Sequence, residues 1–277
     1  MIPTKDNMAD TPLLWAARAG HEEVVRALLE RNDINPNKPD IHGRTPLSWA
    51  ARHGHVGVVK ILLGRDDVNP DTLDEFGQTP LSHAACYGRG GVVKLLLERD
   101  DISPDKPDVD GNTSLLRAAR NGYSEVVEIL LGQDGVNPDK PGRFGRTPLW
   151  WAAYNGQDGV VESLLGRGDV NPNKLDGGGR TPLSRAAENG HKGVVKLLLG
   201  RDDVDPDKPD EGGLTPLSQA ASRGHEGVVK LLLGRDDVDP DRPDGDGRPP
   251  LWWATKNGQA GVIALLHPRR FSTNYPA

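Results

Sequence analysis

The sequence predicts an all-α solenoid of stacked helix–turn–helix units joined by long, turn-rich connectors. Three observations carry that prediction. The first is repetition. "TPL" begins at Thr11, Thr45, Thr79, Thr147, Thr181 and Thr215, "TSL" at Thr113 and "PPL" at Pro249, so eight copies follow one another 34 residues apart. The second is the length of the helical pieces, about eight residues each, against the ~12–15 that an isolated helix needs in water. No copy can stand alone, and stacking on neighbours buries the Leu, Val and Ala faces. The third is composition. Of 277 residues 35% are hydrophobic, with three Phe against 34 Gly and 23 Pro. Those are too few large side chains for one central core, and they suit thin layers.

The copy from Asp40 to Leu73 shows the elements in order. Thr45 offers a hydroxyl to cap a helix, and Pro46 suits the first helical position, where no donor is needed. The helix runs over about 46–53 and stops at Gly54. A second helix over about 56–63 carries Val58, Val59, Leu62 and Leu63 along one side, and Gly64 is expected to end it in the left-handed conformation. "RDDVNPD" then supplies turn formers leading to Gly77. Gly57, Gly91, Gly159, Gly193, Gly227 and Gly261 sit early in the second helices, where glycine costs up to about 1 kcal/mol relative to Ala. Lys60, Lys94, Lys196 and Lys230, alternating with Glu128 and Glu162, read as a solvated outer face.

The copy "DIHGRTPLSWAARHGHVGVVKILLGRDDVNPD" resembles an ankyrin repeat. The residues that carry the resemblance are Asp40, Gly43, Thr45, Pro46, Leu47, Ala50, Ala51, Gly54, His55, Val58, Val59, Leu62, Leu63, Gly64, Val68 and Asn69. It extends over about 6–267, and wording such as "GRTPLSWAA" resembles the long ankyrin arrays of filamentous fungi. The period is one residue longer than the usual 33. Ser48, Ser82, Ser184 and Ser218 stand where the family commonly has the histidine that braces the capping threonine. The implied array occupies 1–267, in repeats of about 6–39, 40–73, 74–107, 108–141, 142–175, 176–209, 210–243 and 244–267. Residues 268–277 form a tail. Asp6 aligns with Asp40, and Glu22, Glu23, Arg26 and Glu30 give the first unit a polar cap. At the far end Pro249 replaces the capping threonine and Thr255 an alanine, so the last unit is expected to fray first.

Other chemistries find little support. A net charge of −6 argues against nucleic acid as partner. Cys86 is the only cysteine, so no intrachain disulfide forms, and a cytoplasmic or nuclear setting is expected. No apolar run approaches a membrane span, and "MIPTKDNMAD" lacks a signal-peptide core. In "DDVDPDKPDEGG" the carboxylates of Asp203, Asp205 and Asp207 alternate as in a calcium loop. Lys208 and Leu214 then occupy the positions that need Gly and Glu. The stretch also recurs in other copies, so it reads as a solvated turn with Val204 packed inward. His53 and His55 lack a third zinc ligand, "DGGGRTP" lacks the lysine of a phosphate loop, and no Ser–His–Asp set stands out. No metal and no cofactor is expected.

Function should then lie where the copies differ. On a helical wheel of about 100° per residue, Ala50 and Ala51 fall near Leu47, while Trp49, Arg52 and His53 fall on the opposite face. The resemblance implies that this face lines a concave groove beside the turn tips. Its candidates are Trp15, Trp49, His83, Arg117, Trp151, Arg185, Gln219 and Trp253 in one register. Arg52, His53, Tyr87, Arg120, Tyr154, Glu188 and Arg223 lie beside them, and Ile41, His42, Phe76 and Phe144 stand at the tips. Trp, Tyr and Arg are frequent interface anchors. Each Trp can equally be a stacking residue across neighbouring units, and Trp150 and Trp252 read as packing residues. The expectation is a non-catalytic, monomeric scaffold that binds a protein partner through this face. The alternatives are a recognition arm of a larger nucleotide-binding signalling receptor, an enzyme whose site hides in the loops, and a passive spacer.

Overall fold

Sixteen helices in eight pairs make up the described part of a computed structural model, residues 11–267. The expectations for Asp6 and for the tail 268–277 lie outside it. The pairs are α1 (Pro12–Ala19) with α2 (Glu22–Leu29), α3 (Pro46–His53) with α4 (Val56–Leu63), α5 (Pro80–Cys86) with α6 (Gly90–Leu97), and α7 (Ser114–Asn121) with α8 (Ser124–Leu131). They continue with α9 (Pro148–Asn155) and α10 (Asp158–Leu165), α11 (Pro182–Asn189) and α12 (Lys192–Leu199), α13 (Pro216–Arg223) and α14 (Glu226–Leu232), and α15 (Pro250–Lys256) and α16 (Ala260–Leu266). None of the described helices is long and apolar enough to cross a membrane.

Contacts divide the chain into two compact blocks, Met1–Ala152 with Glu162–Val170, and Ala153–Val161 with Asn171–Ala277. In the N-terminal block α1 packs on α3, α3 on α5 and α5 on α7, while α2, α4, α6 and α8 form a second row. In the C-terminal block α11, α13 and α15 form one row and α12, α14 and α16 the other. Both cores are built from the expected positions. Leu47, Ala50, Ala51, Val58, Val59 and Leu62, with their counterparts in other pairs, are buried, and so is Val204. Lys60, Lys94, Glu128, Glu162, Lys196 and Lys230 are all exposed.

Local chemistry sets the first helix of each pair. Thr45 Oγ1 accepts the Ser48 amide at 3.2 Å, and the same cap recurs at Thr79, Thr113, Thr147, Thr181 and Thr215. Ser48 Oγ also lies 3.1 Å from Thr45 Oγ1, so serine takes up the bracing that a histidine supplies elsewhere in the resembled family. Pro249 provides no side-chain cap for α15. At the other end of α11, Gly190 is left-handed at φ 76 and a Cβ there would meet the His225 ring. His225 Nε2 in turn bonds the Glu188 carbonyl at 2.9 Å, tying the start of α14 to the end of α11. Gly190→Ala must therefore both hold a left-handed alanine and displace that histidine. We expect a loss of about 1–2 kcal/mol in chemical denaturation, and an unchanged midpoint would contradict this account.

The second helices end differently from the sequence expectation. Gly64 is right-handed (φ −71, ψ −2), and so are Glu30 and Glu98 in the same register. No left-handed residue is needed, because the last carbonyls receive an arginine from the connector one repeat further on. Arg65 Nη1 donates to the Leu29 carbonyl at 2.9 Å and Arg99 Nη1 to that of Leu63 at 3.1 Å, and Arg235 reaches Leu199 likewise. Each of these arginines is also held in a fork by the aspartate two residues on, Asp67, Asp101 or Asp237.

The connectors are therefore not simply solvated turns. Asp203 is gripped by Arg201 at 2.7 Å, and Asp207 is buried beside Arg242 at 3.2 Å. Lys106 reaches back to Asp71 at 2.8 Å, and Asn37 Oδ1 accepts the Asn69 amide at 2.9 Å. Successive connectors are thus laddered together. Three of the glycines early in the second helices also face a side chain of the preceding pair. A Cβ on Gly57, Gly193 or Gly261 would overlap the carboxylate of Glu22, Asp158 or Glu226, which lies across it from the preceding pair.

Candidate interaction face

The turns that precede α3, α5, α7, α11, α13 and α15 are each organised by one carboxylate. Asp40 Oδ1 accepts the amides of His42 (2.8 Å) and Arg44 (2.9 Å), while its Oδ2 accepts Trp49 Nε1 at 3.0 Å, nine residues on. The arrangement recurs with one of four kinds of side chain, Trp, His, Arg or Gln. His83 Nε2 lies 3.0 Å from Asp74 Oδ2, Gln219 Nε2 donates to Asp210 at 3.0 Å, and Trp253 Nε1 to Asp244 at 3.0 Å. Arg117 binds Asp108, and Arg185 stands 3.8 Å from Asp176. Burial pushes the Asp244 carboxyl up. The amides of Arg248 and Asp246 and the side chains of Arg248 and Trp253 outweigh that and hold it below the usual range.

This register was expected to vary because packing left it free. Instead it is restricted to side chains that carry an N–H able to reach the turn, namely Trp, His, Arg and Gln. His83 and Arg185 are only 3% and 7% exposed, so both leave the candidate contact surface. Trp49 is half-buried between the turn and three guanidinium groups, those of Arg18 (4.5 Å from its ring centre), Arg44 (4.8 Å) and Arg52 (5.5 Å). His53 stacks on the same ring at 5.6 Å. Burial, with contributions from the charges of His55, Arg52 and Arg18, lowers its pKa despite the bond to the Trp49 carbonyl.

The remaining candidates are more open. Trp15 is 59% exposed, and Arg120, Tyr154 and Arg223 are exposed, while Arg52, Tyr87, Trp151 and Glu188 are half-buried. Arg52 lies 4.6 Å over the Tyr87 ring and Arg120 4.2 Å over Trp151. Glu188 binds Arg185 and, at 3.3 Å, Arg223. Trp150 is fully buried, as expected of a packing residue. Trp252 is not, at 38% exposed in the last described pair, and it stands edge-on to Trp253 at 4.9 Å.

The tips differ between the blocks. In the N-terminal block Ile41, Phe76, Val109 and Phe144 present exposed apolar side chains. His42, beside Ile41, pairs with Glu75 at 2.6 Å. Backbone bonds link neighbouring tips, from the Glu75 amide to the His42 carbonyl at 2.9 Å and from Val109 to Phe76 at 3.0 Å. In the C-terminal block the tips are Gly177–Gly178, Glu211–Gly212 and Gly245–Asp246, linked in the same way.

The fifth tip is distinct. Gly142 replaces the organising aspartate, and Asn112 and Leu116 of the preceding pair occupy the space its side chain would need. Residues Arg143–Gly145 form a single 3-10 turn in which Phe144 is left-handed at φ 61, while its ring is 60% exposed. A left-handed phenylalanine costs about 1–2 kcal/mol, and an exposed ring with Arg143 at 4.8 Å returns less than that. Phe144→Gly is expected to leave thermal stability unchanged or raise it by up to about 1 kcal/mol. A clear fall in the unfolding midpoint would show that the ring supports the fold.

Sequence reasoning missed Arg18, Arg44 and Arg89 as members of this face. Arg18 shares the register of Arg52, which was the available signal. Arg44 stands in the turn directly before α3, and Arg89 gave no signal because its reach onto α3 depends on the stacking. Among the described residues no group of three His, Cys, Asp or Glu converges as metal ligands.

A family model described as ankyrin repeats in three copies matches residues 2–72, 67–142, 135–210 and 201–275. No curated protein matches the sequence.

Proposed function

The chain belongs to the ankyrin-repeat family, and from that premise we propose that it is a non-catalytic scaffold that binds a protein partner. The partner docks on the outer face of the first helices and the adjoining turn tips. Ankyrin repeats are generally protein-interaction modules, and the local stacks of helix pairs suit that role.

The observation that carries the reading is Phe144. A large apolar side chain is held in solvent by a backbone conformation that works against it. Strain that the contacts of the ring with Arg143 and Arg146 repay only in part is accounted for by a contact made outside the fold. Ile41, Phe76 and Val109 continue the same exposed apolar row at the preceding tips. The protein acts as a monomer in this reading, and its setting is the cytoplasm or nucleus, the latter resting on the lone free Cys86.

The test is affinity capture with the wild-type chain beside an Ile41→Ser/Phe76→Ser/Phe144→Gly variant. All three side chains are exposed, so circular dichroism and the unfolding midpoint should stay close to the wild type. One or more proteins identified by mass spectrometry should be retained by the wild type and lost from the variant. Equal retention by both, with both folded, would remove the tips from the binding face.

A further inference from the structure

The chemistry of the partner follows from charges on the N-terminal block, and this inference rests on the interaction reading above. Most arginines in this protein are matched. Arg65 and Arg99 are forked on connector aspartates, and Arg117 binds Asp108. Arg18, Arg52 and Arg89 differ, for no carboxylate among the described residues lies within ion-pair distance of them.

They are also held in place. Arg18 lies 4.5 Å over Trp49, Arg52 lies 4.6 Å over Tyr87, and Arg89 donates to the Arg52 carbonyl at 3.2 Å. Arg18 and Arg52 thus both lie close to one indole ring, two like charges of which neither has an ion-pair partner. The lowered pKa of His53 on the same ring reflects burial first and then this cationic field. In the C-terminal block the register of Arg52 is filled by Glu188, which neutralises Arg185 and Arg223. An unmatched cationic row within a chain of net charge −6 is therefore local to α1, α3 and the start of α6.

We propose that this row receives an extended acidic peptide segment of the partner. Its carboxylates would bind Arg18, Arg52 and Arg89 in turn, and its apolar side chains would rest on Ile41 and Phe76. Trp49 joins the two surfaces, since its ring carries the arginines and its N–H is anchored on Asp40 at the base of the Ile41 turn. Arg18 and Arg52 belong to neighbouring first helices, which stand about 8–10 Å apart, and an extended strand advances about 3.3 Å per residue, so a carboxylate at every third residue matches that step, while Arg89 lies against the end of α3 beside Arg52. Guanidinium planes resting on rings still present their N–H edges, the geometry that suits carboxylate. A nucleic acid fits less well, because three cations in an acidic protein release few counterions.

The probe is a fluorescein-labelled peptide of repeated Glu-Ser-Leu triplets, followed by anisotropy against the intact chain. Binding is expected at low salt and should weaken about tenfold or more as NaCl rises through the range in which exposed charges are screened. Arg18→Gln/Arg52→Gln should weaken it about tenfold or more, while Arg223→Gln changes it less than about twofold. The Gln-Ser-Leu counterpart should not bind. The inference is overturned by absence of binding, by equal binding of the glutamine peptide, by indifference to salt or to the double substitution, or by tighter binding of an oligothymidylate than of the acidic peptide. The interaction reading can survive that failure. A captured protein lost from the tip variant but kept by Arg18→Gln/Arg52→Gln would leave the scaffold in place and remove only its acidic ligand.

Discussion

Asp74→Ala should destabilise the N-terminal block by about 3–5 kcal/mol, far more than an ordinary turn substitution. Its carboxylate accepts the Phe76 amide at 3.0 Å and the Gln78 amide at 2.8 Å, and pairs with His83 Nε2 at 3.0 Å. His83 is 3% exposed, so removing its partner strands a buried imidazole as well as two turn amides. Urea denaturation followed by circular dichroism measures the loss, and a change below about 1 kcal/mol would show that the hub is dispensable.

The same carboxylate gives the fold an acid limit. Burial pushes it up, but bonds from His83, Gln78 and Phe76 and the charge on His83 outweigh that, and its pKa lies below the ordinary value. A depressed carboxylate contributes stability that is present above its unfolded pKa of about 3.9 and is lost as pH falls through the folded value. Stability of the wild type should therefore fall on acidification in that window. Asp74→Asn, which cannot titrate, should show a shallower fall there, and parallel profiles for the two proteins would refute the assignment.

Leu62→Ala is the second large effect, with an expected loss of about 2–5 kcal/mol. Leu62 is fully buried on α4, which packs against α3 within its pair and against α2 and α6 on either side. Each pair is only two short helices, so a cavity in one weakens its contacts with both neighbours. Hydrogen exchange should show faster opening in α2, α4 and α6 together. Leu73→Ala, at a 44% exposed connector position, serves as the control and should cost less than about 1 kcal/mol. Similar losses for both would mean that the stack does not depend on its buried leucines.

How far the fold was legible shows in particular residues. The spans 46–53 and 56–63 were read from Thr45, Pro46, Gly54 and the leucine spacing, and α3 and α4 occupy them. Those signals are local, since a cap, a proline at the first turn and a left-handed glycine act within a few residues of chain. Gly64 misled because glycine after a helix usually marks a left-handed stop. Here the helix end is satisfied by Arg99 at the Leu63 carbonyl, and its counterparts such as Arg65 likewise reach carbonyls a full repeat earlier. The candidate face was legible as a register and not as a set of roles. Trp49, His83, Arg117, Gln219 and Trp253 looked like free variation, and only their shared reach to the turn aspartate reveals the common N–H.

The sequence by itself determined the repeat, the helix pairs, the buried Leu, Val and Ala positions and the capping chemistry, all of which are written within one copy. Tertiary structure alone decided which polar side chains are committed and which are left over. That depends on atoms brought together from neighbouring pairs, as when Glu22 lies across Gly57 or Arg18 across Trp49. Hydrogen bonds and charge pairs act over a few ångströms of space whatever the distance along the chain. A feature that repeats every 34 residues in sequence therefore acquires its role only when the copies are stacked.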